Sequence, residues 1–208
     1  MRILDPSGHY RVSVTTGTIA AALAAGAQLF QFKWVPAAPA AGTLPTVLAI
    51  ILKCRARFLP LTPFTAATLT DHTSVDLFTA RAYAGGGGGT TLTLTGNNAK
   101  QDTQMPTSQA AINVATTGAL TPATTLDAQP FQQSIRKGNR VNPAAATEEV
   151  VMPQYDWLEY DPDVYDGEKP RILRSGEGLV IANRTVWPAA GTGIYLFDIS
   201  WAEANAIL

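Results

Sequence analysis

The chain has 208 residues, of which 46% are hydrophobic and only 15% charged, and its net charge is −1. That length and apolar content suit one domain with a real core, while the near-zero charge excludes the broad basic field that gathers nucleic acid or anionic lipid. The single cysteine, Cys54, excludes an internal disulfide framework, and two histidines, His9 and His72, are too few for a histidine-rich metal site.

Taken in chain order, residues 1–17 read as an N-terminal arm, within which Tyr10–Thr15 alternates as a strand. The stretch TIAAALAAGAQ, 18–28, has the apolar character of a secretory signal core. Asp5, Ser13, Thr15 and Thr16 dilute its approach, however, and alanine is weakly apolar. A short helix over Ile19–Ala25, capped by Thr18 and stopped by Gly26, is the expectation there. No apolar run approaches the ~18 residues of a membrane span, so a soluble chain made in the cytoplasm is expected.

Period-two alternation then dominates. Phe30, Phe32 and Trp34 share one face, with Gln31 and Lys33 on the other. In LKCRARF, Leu52, Cys54, Ala56 and Phe58 point one way, and Lys53, Arg55 and Arg57 the other. Between these two strands, PAAPAAGTLP at 36–45 reads as a loop. Val75–Tyr83 is a further strand, and TTLTLT alternates Leu92 and Leu94 with threonines.

Five consecutive glycines, Gly85 to Gly89, separate those two strands. A phosphate-binding loop requires strand, glycines and then a helix N-terminus, with Lys and Ser/Thr after the last glycine in the P-loop form. Here a strand follows, and Lys100 lies beyond it. The run is therefore expected to be a mobile hairpin tip, for which glycine supplies positive φ.

Ile112–Thr116 is the next strand. Residues 132–170 lose clean alternation and read as a long irregular insertion. They open with a basic patch, Arg136, Lys137 and Arg140. An acidic run of Glu148, Glu149, Asp156, Glu159, Asp161, Asp163, Asp166 and Glu168 follows, eight of the chain's 16 acidic residues. Within it, DPDVYDG at 161–167 fails as an EF-hand loop, because position 5 is Tyr165, Gly167 falls at 7 and Ile172 at 12. Arg171–Leu173 and Gly178–Arg184 are strands. The end of the chain is expected to be a hairpin: a strand through Arg184, a loop at Pro188–Gly193, and an aromatic strand placing Tyr195, Phe197, Ile199 and Trp201 on one face. Asp198, on the other face, is positioned to pair with Lys53, Arg55 or Arg57.

About nine strands with no long helical period between them predict an all-β antiparallel sandwich or jelly roll, a single domain over 1–208. No catalytic, cofactor or metal site is predicted. There is no Gly-x-Ser-x-Gly elbow, Cys54 lies on an apolar strand face, and His9 and His72 have no local partners. The Lys53, Arg55 and Arg57 ladder lacks the basic excess and interleaved aromatics of a nucleic-acid surface, and reads as a solvated or subunit-facing sheet.

Three stretches carry a resemblance: LTLTGNNAKQDTQMPTS at 92–108, ATTGALTPATTLDAQPF at 115–131 and GEGLVIANRTVWPAAGTGIYLFDISWAEA at 176–204. With TTGTIAAALAAGAQLFQFKW, 15–34, they resemble a family of small virion structural proteins of tailed bacteriophages, of the capsid decoration (cement) type. The resemblance implies a non-enzymatic β-sandwich or jelly roll, a homotrimer, that binds the major capsid protein on the outer surface of the shell without cofactor, nucleic acid or membrane. Contacts with the shell are expected from the arm 1–17 and the segment 132–170. Another virion position (neck, tail or head fibre) and a carbohydrate-binding jelly roll with Trp187 on a loop tip are the alternatives.

Overall fold

The computed structural model describes residues 6–19, 23–36, 47–62, 74–83, 87–122, 125–134, 158–163, 169–187 and 191–205. Among these, twelve strands follow one another: β1 (Pro6–Thr15), β2 (Gln28–Trp34), β3 (Val47–Thr62), β4 (Val75–Ala82), β5 (Thr90–Thr91), β6 (Ala110–Val114), β7 (Thr125–Leu126), β8 (Gln132–Gln133), β9 (Leu158–Tyr160), β10 (Arg171–Leu173), β11 (Gly178–Asn183) and β12 (Thr192–Asn205). They form two antiparallel sheets. Sheet A runs β1-β12-β3-β10, with β9 also pairing β3; sheet B runs β5-β6-β2-β11-β4-β7, with β8 also pairing β4.

The sheets pack face to face, and the alternation legible in the sequence sets their inner walls. Phe30 and Phe32 of β2 meet Phe197 and Trp201 of β12 with ring centroids 5.1 Å apart in both pairs. Tyr10 of β1 stacks on Trp201 at 5.4 Å. All five rings are buried. Each such side chain removed from water stabilises the fold by ~2–3 kcal/mol, so this aromatic column is one large contribution among the buried residues that hold the sheets together. The long sides of the sandwich are closed too. On one side, Arg11 N donates to the Ala99 carbonyl and Gln101 N to that of His9. On the other, Gln132 Nε2 donates to the Glu159 carbonyl and the Phe131 ring meets Tyr160 edge-on.

The register slips at several points, and one of them changes which residues of β3 face the core. Against β12, the register of β3 slips between Lys53 and Ile51. The bulge takes Leu52 out of step, so Ile51 is buried in the main core beside Cys54, Ala56 and Phe58. Leu52 instead packs with Ile50, Ala202 and Ala204 in a separate small cluster. A single extra residue reverses which parity faces inward, which strict alternation through LKCRARF does not anticipate.

Four further expectations are corrected. Residues 6–15 of the predicted arm are β1, paired along β12 from Pro6↔Ala204 to Thr15↔Leu196; Tyr10 anchors them in the core, so they are a structural strand. Among residues 19 and 23–25 no helix forms. Ile19 makes a bridge to Gly193, and a turn closes at Ala25–Gly26: buried Ile19 and Leu23 gain more from the core than a two-turn alanine helix gains from propensity. The terminal hairpin does not form either, since β11 lies in sheet B and β12 in sheet A. β11 is buried on both faces and so takes a central place between β2 and β4, while Trp187 in the link packs edge-on against Phe58 at 5.6 Å. The irregular segment 132–170 contributes β8 and β9; its remainder over 135–157 and 164–168 lies outside the described residues, as does the basic patch.

The glycine run is likewise no hairpin tip. β4 and β5 lie toward opposite edges of sheet B, so they are no hairpin; Gly85 and Gly86 lie outside the described residues, and Tyr83 and Gly87–Gly89 on either side of them lie against sheet B. Tyr83 lies against Gly178 of β11, where a Cβ would strike its ring. Gly87 N donates to Gln31 Oε1 of β2 at 3.1 Å, and Gly87 bridges to Thr121. Gly89 has φ +60°, and a Cβ there would collide with the Val114 carbonyl. Glycine is needed because the backbone lies flat on other backbone. Of TTLTLT, Thr90–Thr91 forms the strand paired with β6, Leu92 N adds one bond to the Ile112 carbonyl, and Leu92 and Leu94 pack onto the core.

Candidate interaction face

The outer face of sheet A collects the polar side chains opposite the aromatic wall. Cross-strand register sets them in rows. Ser13 of β1 lies beside Asp198 of β12, which lies beside Arg55 of β3, and that beside Glu159 of β9. The next row runs Thr15, Leu196, Arg57.

Asp198 is held by Arg11 in a two-pronged fork, Nε to Oδ1 at 3.0 Å and Nη2 to Oδ2 at 2.5 Å. That hydrogen bond, then the charge of Asp198, raises the Arg11 pKa further. Arg55 donates from Nε and Nη2 to Glu159 Oε1 at 2.9 and 2.5 Å. Lys53 reaches Asp161 at 2.5 Å and Glu159 at 3.5 Å. The sequence placed Asp198 opposite the β3 cations, and it does sit across from Arg55, but its fork comes from Arg11 on the other neighbouring strand. Glu159 and Asp161, assigned to an irregular acidic run, are brought to the sheet by β9.

Arg11–Asp198 is an exposed pair and contributes about 0.2–1 kcal/mol, while the Lys53 and Arg55 pairs are part-buried; together they fix the pattern of the surface. Large apolar side chains adjoin the network: Leu59, Leu61 and Leu196 are 49%, 50% and 37% exposed. A rigid five-stranded plate thus presents leucines next to alternating charge.

The remaining candidates lie elsewhere. The Cys54 thiol is buried in the core, and desolvation, then the Asp198 charge, pushes its pKa up to about 12, far from a reactive thiolate. His9 sits in β1, its backbone N–H directed to Met105 Sδ; His72 lies outside the described residues. In DPDVYDG, Asp161 is committed to Lys53 and accepts the Asp163 N–H, and no group of three metal-ligating side chains occurs among the described residues. Trp187, the proposed glycan platform, is buried against Phe58 and Tyr195.

One buried polar group gave no signal in the sequence. Glu203 continues the inner face of β12 at the end of the sandwich and is only 2% exposed. Its Oε1 accepts from Ser108 Oγ at 2.6 Å, Gln109 N at 3.2 Å and Trp201 Nε1 at 3.3 Å. Nearby, Tyr10 OH donates to the Pro106 carbonyl at 2.9 Å, so the irregular strap 101–109 is tied to the sheets through polar contacts. Burial raises the Glu203 pKa, and its three hydrogen bonds oppose the shift without cancelling it. Tyr10 is pushed up to about 12 by burial and by the Glu203 charge.

Comparison of the chain with family models, with curated proteins and with solved structures gives no match.

Proposed function

We propose that this chain is a structural protein of a tailed-bacteriophage virion, a capsid decoration protein that binds the major capsid protein on the outside of the shell and braces it. The observation that supports this reading best is the outer face of sheet A. Its leucines and fixed charges stand on a plate kept rigid by a buried aromatic column, which suits recognition of another protein surface. The resemblance of residues 15–34, 92–108, 115–131 and 176–204 to such proteins points the same way. A homotrimer would present three such faces to neighbouring shell subunits and multiply modest contacts by avidity. The arm is redefined in this proposal: truncation through residue 9 would remove Pro6–His9 from the β1–β12 ladder, so it tests folding as well as attachment.

The test is stoichiometry. Quantitative mass spectrometry of purified particles is expected to find hundreds of copies, lost together with shell resistance to heat when the gene is removed. A dozen or so copies would place the chain at the neck or tail, and absence from particles would reject a virion role. A glycan array covers the carbohydrate-binding alternative, which the burial of Trp187 leaves without its aromatic platform.

A further inference from the structure

The strap 101–109 is fastened to β1 by a sulfur atom. Outward backbone groups of β1 are taken up one after another. Arg11 N donates to the Ala99 carbonyl at 2.8 Å, the His9 carbonyl accepts Gln101 N at 3.1 Å, and His9 N donates to Met105 Sδ at 3.1 Å. The last acceptor is a thioether where a neighbouring strand would offer a carbonyl. The strap closes around it: Met105 N donates to the Asp102 carbonyl at 3.1 Å and Gln104 N to Asp102 Oδ1 at 2.9 Å. Beyond it, the Pro106 carbonyl accepts Tyr10 OH at 2.9 Å and Ser108 Oγ donates to Glu203 at 2.6 Å. Met105 is half-buried, and Gln101–Gln104, Pro106 and Thr107 on either side of it are exposed.

Sδ of Met105 is the only sulfur in residues 101–109. A thioether is a weak acceptor, and it is also an oxidisable one. A peroxide transfers one oxygen to it: sulfur gives up a lone pair to the new S–O bond, the O–O bond breaks, and hydrogen peroxide leaves as water. Oxygen added on the side of His9 would stand between two atoms already 3.1 Å apart, closer than any N–H···O hydrogen bond allows. Oxygen added on the other side draws electrons from the sulfur and leaves it partly positive, facing an N–H of the same sign. Either epimer of the sulfoxide therefore breaks the contact.

We propose that Met105 is a site of reversible oxidation and the latch of the strap. Its sulfoxide releases the His9 N–H and lifts residues 102–105 off β1, while the bonds of Gln101, Pro106 and Ser108 keep both ends of the strap attached. A methionine sulfoxide reductase, taking two electrons and two protons from a dithiol and releasing water, closes it again. This is independent of any virion role.

The test exposes the full-length wild type and Met105→Leu to hydrogen peroxide, maps oxygen uptake by peptide mass spectrometry and follows amide exchange by NMR. Met105 should gain one oxygen in the folded protein, and the His9 amide should then exchange about tenfold faster or more. The Arg11 and Thr16 amides, bonded to the Ala99 and Tyr195 carbonyls, should keep their rates. Reductases for both epimers, with dithiothreitol, should return His9 to its slow rate. Leucine keeps the apolar bulk without the acceptor, so in Met105→Leu the His9 amide should be fast from the start and indifferent to peroxide, although Met1 and Met152 remain. Oxidation and re-reduction of the wild type need no variant, and decide even where the substitution disturbs folding. A Met105 that takes up no oxygen while the protein is folded overturns the proposal, as does a sulfoxide there with His9 unchanged. Exchange that rises equally at Arg11 and Thr16 would be global damage, and a leucine variant as protected at His9 as the wild type would credit packing; both overturn the latch.

Discussion

Replacing Glu203 tests whether burial or hydrogen bonding governs the corner that ties the strap 101–109 to the sandwich. In Glu203→Ala, Ser108 Oγ and Trp201 Nε1 lose their acceptor in a buried place, whereas Gln109 is exposed enough for water to replace the bond. Each buried orphan costs ~1–3 kcal/mol, and the relief of an unfavourable buried charge returns part of that. The net expectation is a loss of about 2–4 kcal/mol at neutral pH, or roughly 5–15 °C in Tm for a chain of this size.

Glu203→Gln separates the charge from the acceptor. The folded pKa of Glu203 lies above its ordinary 4.5, so the folded state holds this proton more tightly than the unfolded chain does. Its contribution is therefore fully present below about pH 4.5 and is lost as pH rises through the folded value. Glutamine has nothing to ionise. Urea melts of both proteins between about pH 4 and about pH 8 should show the glutamine variant gaining on the wild type as pH rises. Taking the difference cancels every other titrating group. A flat difference would mean that the three donors balance burial, and a wild type that gains on the variant that they outweigh it; either would refute the reasoning.

Two more tests address the core and the glycine run. Cys54, with its pKa pushed up to about 12, should resist a water-soluble disulfide reagent in the folded protein and react fully once urea unfolds the chain; fast native labelling would mean the strand β3 opens locally. Gly89→Ala forces a Cβ onto the Val114 carbonyl at φ +60° and should cost ~1–3 kcal/mol in a denaturant melt, whereas Gly96→Ala has open space around it at φ +65° and should cost less. Equal costs would show that φ alone, without the close approach to β6, explains the glycine.

What was legible in the sequence divides by range. The alternation of Phe30–Trp34 and Tyr195–Trp201 records a local fact, the two faces of a strand, and those strands form where expected. Which strand pairs with which is a non-local fact. β11 and β12 are neighbours in sequence and lie in different sheets, and β4 and β5, on either side of the glycine run, lie toward opposite edges of sheet B. Turn-rich composition is identical for a hairpin and for a link between distant strands, so Gly85–Gly89 could not distinguish them. The bulge at Leu52 is equally silent, because its neighbours alternate cleanly on paper.

The charged face was half legible for the same reason. Lys53, Arg55 and Arg57 alternate on one strand and were visible as a ladder. The carboxylates that meet Lys53 and Arg55 are Glu159 of β9, only three residues long, and Asp161 just after it, and Arg11 reaches Asp198 from β1. In LEYD, the alternation of buried Leu158 and Tyr160 with half-buried Glu159 is present, but three residues inside an acidic run do not stand out from a solvated loop. Glu203 was silent because WAEA at the end of a strand gives no sign that a strap 94 residues earlier will bring Gln109 to it. Polar groups placed by tertiary contacts are therefore where structure adds most to this sequence. The interaction face and the buried carboxylate both belong to that class, and neither would survive a change in the pairing of β1 with β12.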